Sequence, residues 1–120
     1  MADRLVIKVT VGEDQVDKCH QAFTVAAVAV SSGVPISLWL TGEASWLALP
    51  GRAEAVALEH SAPLADLRDA VLAGGTLTLC TQCALRRGIT QADLLPGVVI
   101  AGAAVFLSEA MTDGTQALVY

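Results

Sequence analysis

The chain has 120 residues, 54% of them hydrophobic and only 16% charged, with a net charge of −5 and a pI near 4.7. That length suits one domain able to bury a core without staples, and the acidic balance, with Arg86–Arg87 the only adjacent basic pair, excludes a nucleic-acid binder. So little charge also predicts association between copies, with apolar surface buried between subunits.

Arg4 to Val11 alternates loosely and is rich in Val and Ile, which predicts a first strand ended by Gly12. Glu13 and Asp14 favour a helix start. The helix, from about Asp14 to Ser31, sets Val16, Cys19, Ala22, Phe23, Ala26, Ala27 and Val30 at helical spacing, a stripe suited to packing on a sheet. From Cys19 to Gly42 no Asp, Glu, Lys or Arg occurs, a length able to span a bilayer. Ser31-Ser32-Gly33-Val34-Pro35 breaks that run into helix end, turn and strand, so no membrane span is expected.

Val34 to Leu40, apolar except at Ser37, reads as a strand covered on both faces. Thr41-Gly42-Glu43 turns into a short helical segment, Glu43 to Leu49, stopped by Pro50-Gly51. Arg52 to His60 fits either a helical turn or an extended crossing. A helix over Pro63 to Ala73 has its proline near the start, and Gly74-Gly75 ends it. Thr76 to Leu79 is the third strand and delivers Cys80 to a short helix, about Gln82 to Arg87, that stops at Gly88. Thr90-Gln91-Ala92-Asp93 starts another brief helix, closed by Pro96-Gly97. Val98 to Ala101 is a fourth strand, Ala103 to Met111 a helix, and Gln116 to Val119 a fifth strand. Strands alternating with helices predict a single domain, residues 1–120, of the α/β class. Its layers are α/β/α around a mostly parallel five-stranded sheet with right-handed crossovers.

Open parallel sheets place ligands beyond the carboxyl ends of their strands. Those ends are Gly12, Thr41-Gly42, Cys80 and Gly102, so glycines flank a cysteine and leave room for an approach to its sulfur. The same glycines also serve as ordinary tight turns. Cys80 sits where a strand hands over to a helix, and exposed amides there favour a thiolate. Cys83, at CxxC spacing, reads either as a disulfide partner of Cys80 or as a small buried residue packing its helix on the sheet. Arg86 and Arg87 could add positive charge at the thiols or simply stabilise a helix C-terminus. Cys19, on the apolar stripe, reads as core.

Three cysteines make no disulfide framework, and Met1-Ala2-Asp3-Arg4 does not lead into a secretory pattern, so a reducing cytoplasm is the expected compartment. No metal is expected. One CxxC supplies two of the four ligands that structural zinc takes, His20 points away from its neighbour Cys19, and both histidines read as exposed polar residues. Neither GxGxxG nor GxxxxGK[ST] occurs, so no nucleotide cofactor is expected.

The run Cys80-Thr81-Gln82-Cys83-Ala84-Leu85-Arg86-Arg87-Gly88-Ile89-Thr90 resembles the cysteine segment of the DsrE/DsrF-like family, which includes sulfur-relay subunits and YchN-like proteins. The run Gly102 to Thr112, closing on Ala117-Leu118-Val119-Tyr120, is similar to that family's last helix and strand. The resemblance implies a small α/β/α domain assembling into trimers or hexamers, with a persulfide carried on Cys80 and sulfur donor and acceptor proteins as partners. Cys83 departs from many relay members, and as a neighbouring thiol it could attack such a persulfide and release sulfide.

Three functions follow. The first is a cytoplasmic sulfur carrier, sulfurtransferase-like, that loads Cys80. The second is a thiol–disulfide redox protein using Cys80 and Cys83. The third is a non-catalytic oligomeric module binding a small ligand at the strand ends, around Gly12, Thr41, Gly42, Arg86 and Gly102.

Overall fold

The structure, a computed structural model, describes residues 2–120. Its strands are β1 (Arg4–Val9), β2 (Ile36–Leu40), β3 (Thr76–Cys80), β4 (Val99–Ala101) and β5 (Thr115–Val119). The helices are α1 (Val16–Ser31), α2 (Leu64–Gly74), α3 (Thr81–Arg86) and α4 (Ala103–Ala110). All strand pairs are parallel, in the order β4-β3-β2-β1-β5. The sheet is therefore wholly parallel. No helix among the described residues is long and apolar enough to cross a membrane.

Side-chain alternation gives the sheet two unlike faces. Ile7, Val9, Ile36, Leu38, Leu40, Leu77 and Leu79 point to one face and form a single core with Cys19, Ala22, Phe23 and Ala26 of α1, Leu64 and Val71 of α2, and Ala84 of α3. Three successive crossovers thus lie on one side while the strands step from β1 to β4. The return from β4 to β5 runs the opposite way along the sheet, so a right-handed crossover must place α4 on the other side. It does: Trp39, which alternates away from the core residues of β2, meets Phe106 of α4 edge-to-face at 5.4 Å, and its indole N–H donates to Glu109 at 3.2 Å. The Lys8 ammonium lies 4.1 Å from the centre of the Phe106 ring.

One eight-residue helix is a thin cover for that second face. Val99 and Val119 at the sheet edges, Val105 and Leu107 on α4, and Met111 just beyond it remain exposed. The central strand β2 is nonetheless buried at all five positions, as its nearly unbroken apolar run requires.

Several boundaries differ from the sequence expectation for local reasons. β1 stops at Val9 because the chain turns after Thr10, and α1 starts at Val16 after a single 3₁₀ turn over Glu13–Gln15. There the Asp14 carboxylate folds back to accept the Gly12 N–H at 2.8 Å, a local bond that competes with helix. β2 begins at Ile36, after Pro35. Gly42–Ala48 is helical as expected, but of the 3₁₀ kind. Thr90 and Asp93 form a capping box at the expected helix start, yet only one 3₁₀ turn, Gln91–Asp93, follows. Arg52 to His60 resolves into a 3₁₀ turn, Ala53–Ala55, and then irregular chain.

That turn carries an ion pair with a testable consequence. Arg68 of α2 is buried and donates Nη1 and Nη2 to the two oxygens of Glu54, at 2.8 and 3.0 Å, while Nε donates to Asp69 at 3.0 Å. Hydrogen bonding to Arg68 holds the Glu54 carboxyl down at about 2. A depressed carboxyl contributes stability above its unfolded value of about 4.3, and that contribution is lost as pH falls toward the folded value. Urea midpoints measured between pH 5 and pH 2 are therefore expected to fall more steeply in the wild type than in Glu54→Gln. Parallel pH profiles would remove this pair from the acid limb.

His20 is a correction. Expected on the surface, it is only 5% exposed, with Nε2 2.7 Å from the Ala62 carbonyl and Nδ1 3.2 Å from the Thr24 hydroxyl. Two hydrogen-bond partners make that burial tolerable, and the bond to Ala62 ties α1 to the chain entering α2. His60 is exposed, as expected.

Candidate functional site

Cys80 closes β3 in extended conformation and α3 begins at the next residue, so the second thiol falls within the first turn of that helix. The two sulfurs have different surroundings. Cys80 alternates with Leu79 and so belongs to the α4 side of the sheet, where it is half-buried; its thiol donates to Gln82 Oε1 at 3.6 Å. Cys83 is 8% exposed and points under the β2 carboxyl end, where the Gly42 N–H donates to its sulfur at 3.3 Å. The Arg86 guanidinium lies 3.9 Å from the same sulfur. Burial raises the Cys83 thiol, but the Gly42 amide, the neighbouring Cys80 thiol and the charges of Arg87 and Arg86 together outweigh it, and the net effect lies below the ordinary cysteine range. The free cysteine expected to be core behaves in the opposite way. Burial first, and then the charge of Asp14, push the Cys19 thiol up to about 12, so it is inert.

Arg87 holds this arrangement together. Its Nη1 donates to the Cys83 carbonyl at 3.2 Å, while Nε and Nη2 donate to Glu43 Oε2 at 3.1 and 2.9 Å. One side chain thereby ties α3 to the segment that carries Gly42. Glu43 also accepts from the Trp46 indole at 3.3 Å. Glu43 was not legible as a site residue, since a single exposed carboxylate in a turn carries no signal until the strand order brings it to Arg87.

The remaining strand-end residues separate into two groups. Gly42 and Arg86 touch a sulfur, that of Cys83. Gly102 lies at the end of β4, whose Ala101 pairs with Cys80, and a Cβ there would meet only Thr81 Oγ1 at 3.8 Å, an ordinary contact. Gly12 and Thr41 make their hydrogen bonds elsewhere, to Asp14 and Val9, and not to a thiol. The space a Gly12 Cβ would need is taken by the Glu43 carbonyl, at 2.5 Å, and Thr41 turns its hydroxyl to the Val9 carbonyl at 3.2 Å. Their part is to seat the Gly42 segment against β1. Among the described residues, no three His, Cys, Asp or Glu side chains gather as a metal site. A separate hollow, lined by His20, Gln21, Thr24, Leu58 and Tyr120, opens beside α1.

A wholly parallel α/β domain with a CxxC at the carboxyl edge of its sheet is thus in place. The DsrE/DsrF-like family matches residues 3–120, and the chain belongs to that family. It is 33% identical over 107 residues to uncharacterized protein MJ0760 of Methanocaldococcus jannaschii, a match covering 88% of this chain. The chain spans 39% of that relative's length. Its fold is similar to the crystal structure of the ychN protein from E. coli, with a TM-score of 0.81, 18% identity and all of both chains covered. It also resembles a conserved protein of unknown function, BT1422, from Bacteroides thetaiotaomicron, at a TM-score of 0.64 and 19% identity over 98% of this chain and 95% of that one. A protein of unknown function from Methanobacterium thermoautotrophicum, MTH1491, aligns with a TM-score of 0.61 and 14% identity over 98% of each chain. At these identities the structural likenesses establish the fold alone.

Proposed function

We propose that this chain is a small sulfur carrier, sulfurtransferase-like, that holds a persulfide on Cys80. The observation carrying the reading is the half-buried Cys80 thiol at the sheet's carboxyl edge, one helical turn from a second thiol whose anion is favoured by the Gly42 amide and two arginines. Family membership supports sulfur chemistry as the class. Donor and acceptor are other sulfur-handling proteins, and the compartment is a reducing cytoplasm, where both thiols stay free. The carrier works as a homo-oligomer, trimer or hexamer. Support for that comes from the exposed Val99, Val105, Leu107, Met111 and Val119 on the thinly covered second face.

The test is loading. Protein treated with inorganic polysulfide, freed of excess donor and blocked by alkylation is expected to gain sulfur, mapped by peptide mass to Cys80 and absent from Cys80→Ser. Cys83→Ser serves as the trapping background, in which no second thiol can act on the adduct. If Cys80 gains no sulfur in either background, the carrier reading fails. The alternative with a specific observation behind it is a thiol–disulfide protein, because the CxxC spacing places Cys83 in the helical turn after Cys80. That reading predicts a Cys80–Cys83 disulfide under mild oxidant with a defined reduction potential, and no sulfur adduct.

A further inference from the structure

The two thiols differ in a way that gives them different jobs. Cys80 is half-buried and, among the described residues, no N–H donates to its sulfur, whereas Cys83 is nearly enclosed and accepts the Gly42 N–H at 3.3 Å with Arg86 at 3.9 Å. A donor on sulfur is worth most when that sulfur is an anion. The Glu43–Arg87–Cys83 carbonyl tie keeps the Gly42 segment against α3, so the donor is in place before any reaction.

We propose that Cys83 is the thiolate that discharges the persulfide on Cys80 when no acceptor protein takes the sulfur, so the site then releases sulfide and closes as a disulfide. This rests on the Cys80 persulfide reading and specifies the fate of its cargo. In the step, Cys83 has already given its proton to solvent. Its electron pair forms a bond to Cys80 Sγ, the bond between Cys80 Sγ and the terminal sulfur breaks, and that pair leaves with hydrosulfide, which keeps the proton it carried. The sulfane sulfur is reduced by two electrons and the two cysteines are oxidised to one disulfide. A dithiol reductant then reopens the disulfide and resets the site.

The site of attack follows from burial. Attack on the terminal sulfur would build a persulfide on Cys83, which is 8% exposed and already accepts the Gly42 N–H at 3.3 Å. Attack on Cys80 Sγ instead expels a small anion on the open side. Arg86, exposed at the end of α3 and 3.9 Å from the Cys83 sulfur, adds positive charge beside the attacking thiolate. Gly42, Arg86 and Arg87 are positioning residues in this scheme, since they act through the Cys83 sulfur.

The experiment follows one loading with inorganic polysulfide, in the absence of reductant, in the full chain. Wild type is expected to release about one sulfide per Cys80 adduct formed and to lose both free thiols to a Cys80–Cys83 disulfide, read by sulfide assay and non-reducing peptide mapping. Cys83→Ser is expected to keep its adduct at least about tenfold longer and to release no stoichiometric sulfide. Cys83→Ala repeats the measurement without a hydroxyl, and circular dichroism confirms that each variant is folded. Arg86→Gln is expected to slow release several-fold and to shift its pH midpoint upward, a change that a purely structural role would not produce. A wild-type adduct as long-lived as that of the Cys83 variants, with no disulfide, overturns the step and leaves the carrier reading standing. Absence of any adduct on all forms removes the carrier reading itself, and the step with it.

Discussion

Replacing Gly42 with alanine is expected to lower the unfolding free energy by about 2–5 kcal/mol and to move Cys83 alkylation to higher pH. Two independent penalties meet at this position. Its backbone sits at φ +53°, in the left-handed region where a side chain is strained, and a Cβ there would collide with the Thr10 carbonyl, a backbone atom that cannot swing aside. Relief requires the Gly42 segment to lift away from β1. That motion withdraws the N–H from the Cys83 sulfur and strains the Glu43–Arg87 pair. Lifting the amide removes one of the interactions that oppose burial, so the Cys83 thiol shifts upward. Urea unfolding measures the first effect, and a pH series of iodoacetamide labelling, mapped by mass to each cysteine, measures the second. A variant as stable as wild type, with the same labelling profile at Cys83, would show that this segment neither is strained nor acts on the sulfur.

Trp39→Ala carries the other large effect, a loss of about 3–5 kcal/mol. Trp39 is 1% exposed and forms the contact between the sheet and α4, through the edge-to-face packing on Phe106 and the indole bond to Glu109. Cutting the ring away leaves a cavity under the one helix that covers the second face, and α4 has no fully buried residue of its own to hold it down. Amide exchange in α4 is therefore expected to accelerate well beyond that in α1, whose anchor, Phe23, lies in the opposite layer. Trp39→Phe keeps most of the apolar contact and loses the N–H, at about 1 kcal/mol. If Trp39→Ala and Trp39→Phe proved equally mild, the Trp39 ring would not be what holds α4 to the sheet.

Much of the fold was legible because the signals were local. The stripe Val16, Cys19, Ala22, Phe23, Ala26 marked α1 and its buried face, and β2 announced full burial by a run apolar except at Ser37. Gly74-Gly75 marked the end of α2 for a packing reason as well: a Cβ at Gly75 would strike Ile36. The failures were also local in origin, yet decided elsewhere. His20 lacks any sequence mark of burial, since its cost is met by the Ala62 carbonyl, which lies far along the chain. Thr90 opened its capping box, but a box fixes only the start of a helix; after one 3₁₀ turn the Leu95 N–H donates to the Ala48 carbonyl at 3.0 Å, a tertiary bond that ends it.

The site divides the same way. By itself the sequence determined that two thiols and two arginines stand within eight positions at the carboxyl end of a parallel strand, because spacing along one strand and one short helix is a property of covalent geometry and hydrogen-bonding period. That the Cys83 anion would be the one favoured by a tertiary donor was not in it. The expected reason for a thiolate at Cys80, helix amides at its own strand end, is general to any such junction. The donor that the structure provides comes from Gly42 and reaches Cys83, held there by Glu43 and Arg87. Gly42 and Glu43 are more than forty positions from Cys83 and Arg87, and only the pairing of β2 with β3 brings them together. Electrostatic stabilisation of a sulfur falls off within a few ångströms, so its assignment had to wait for the order of the strands.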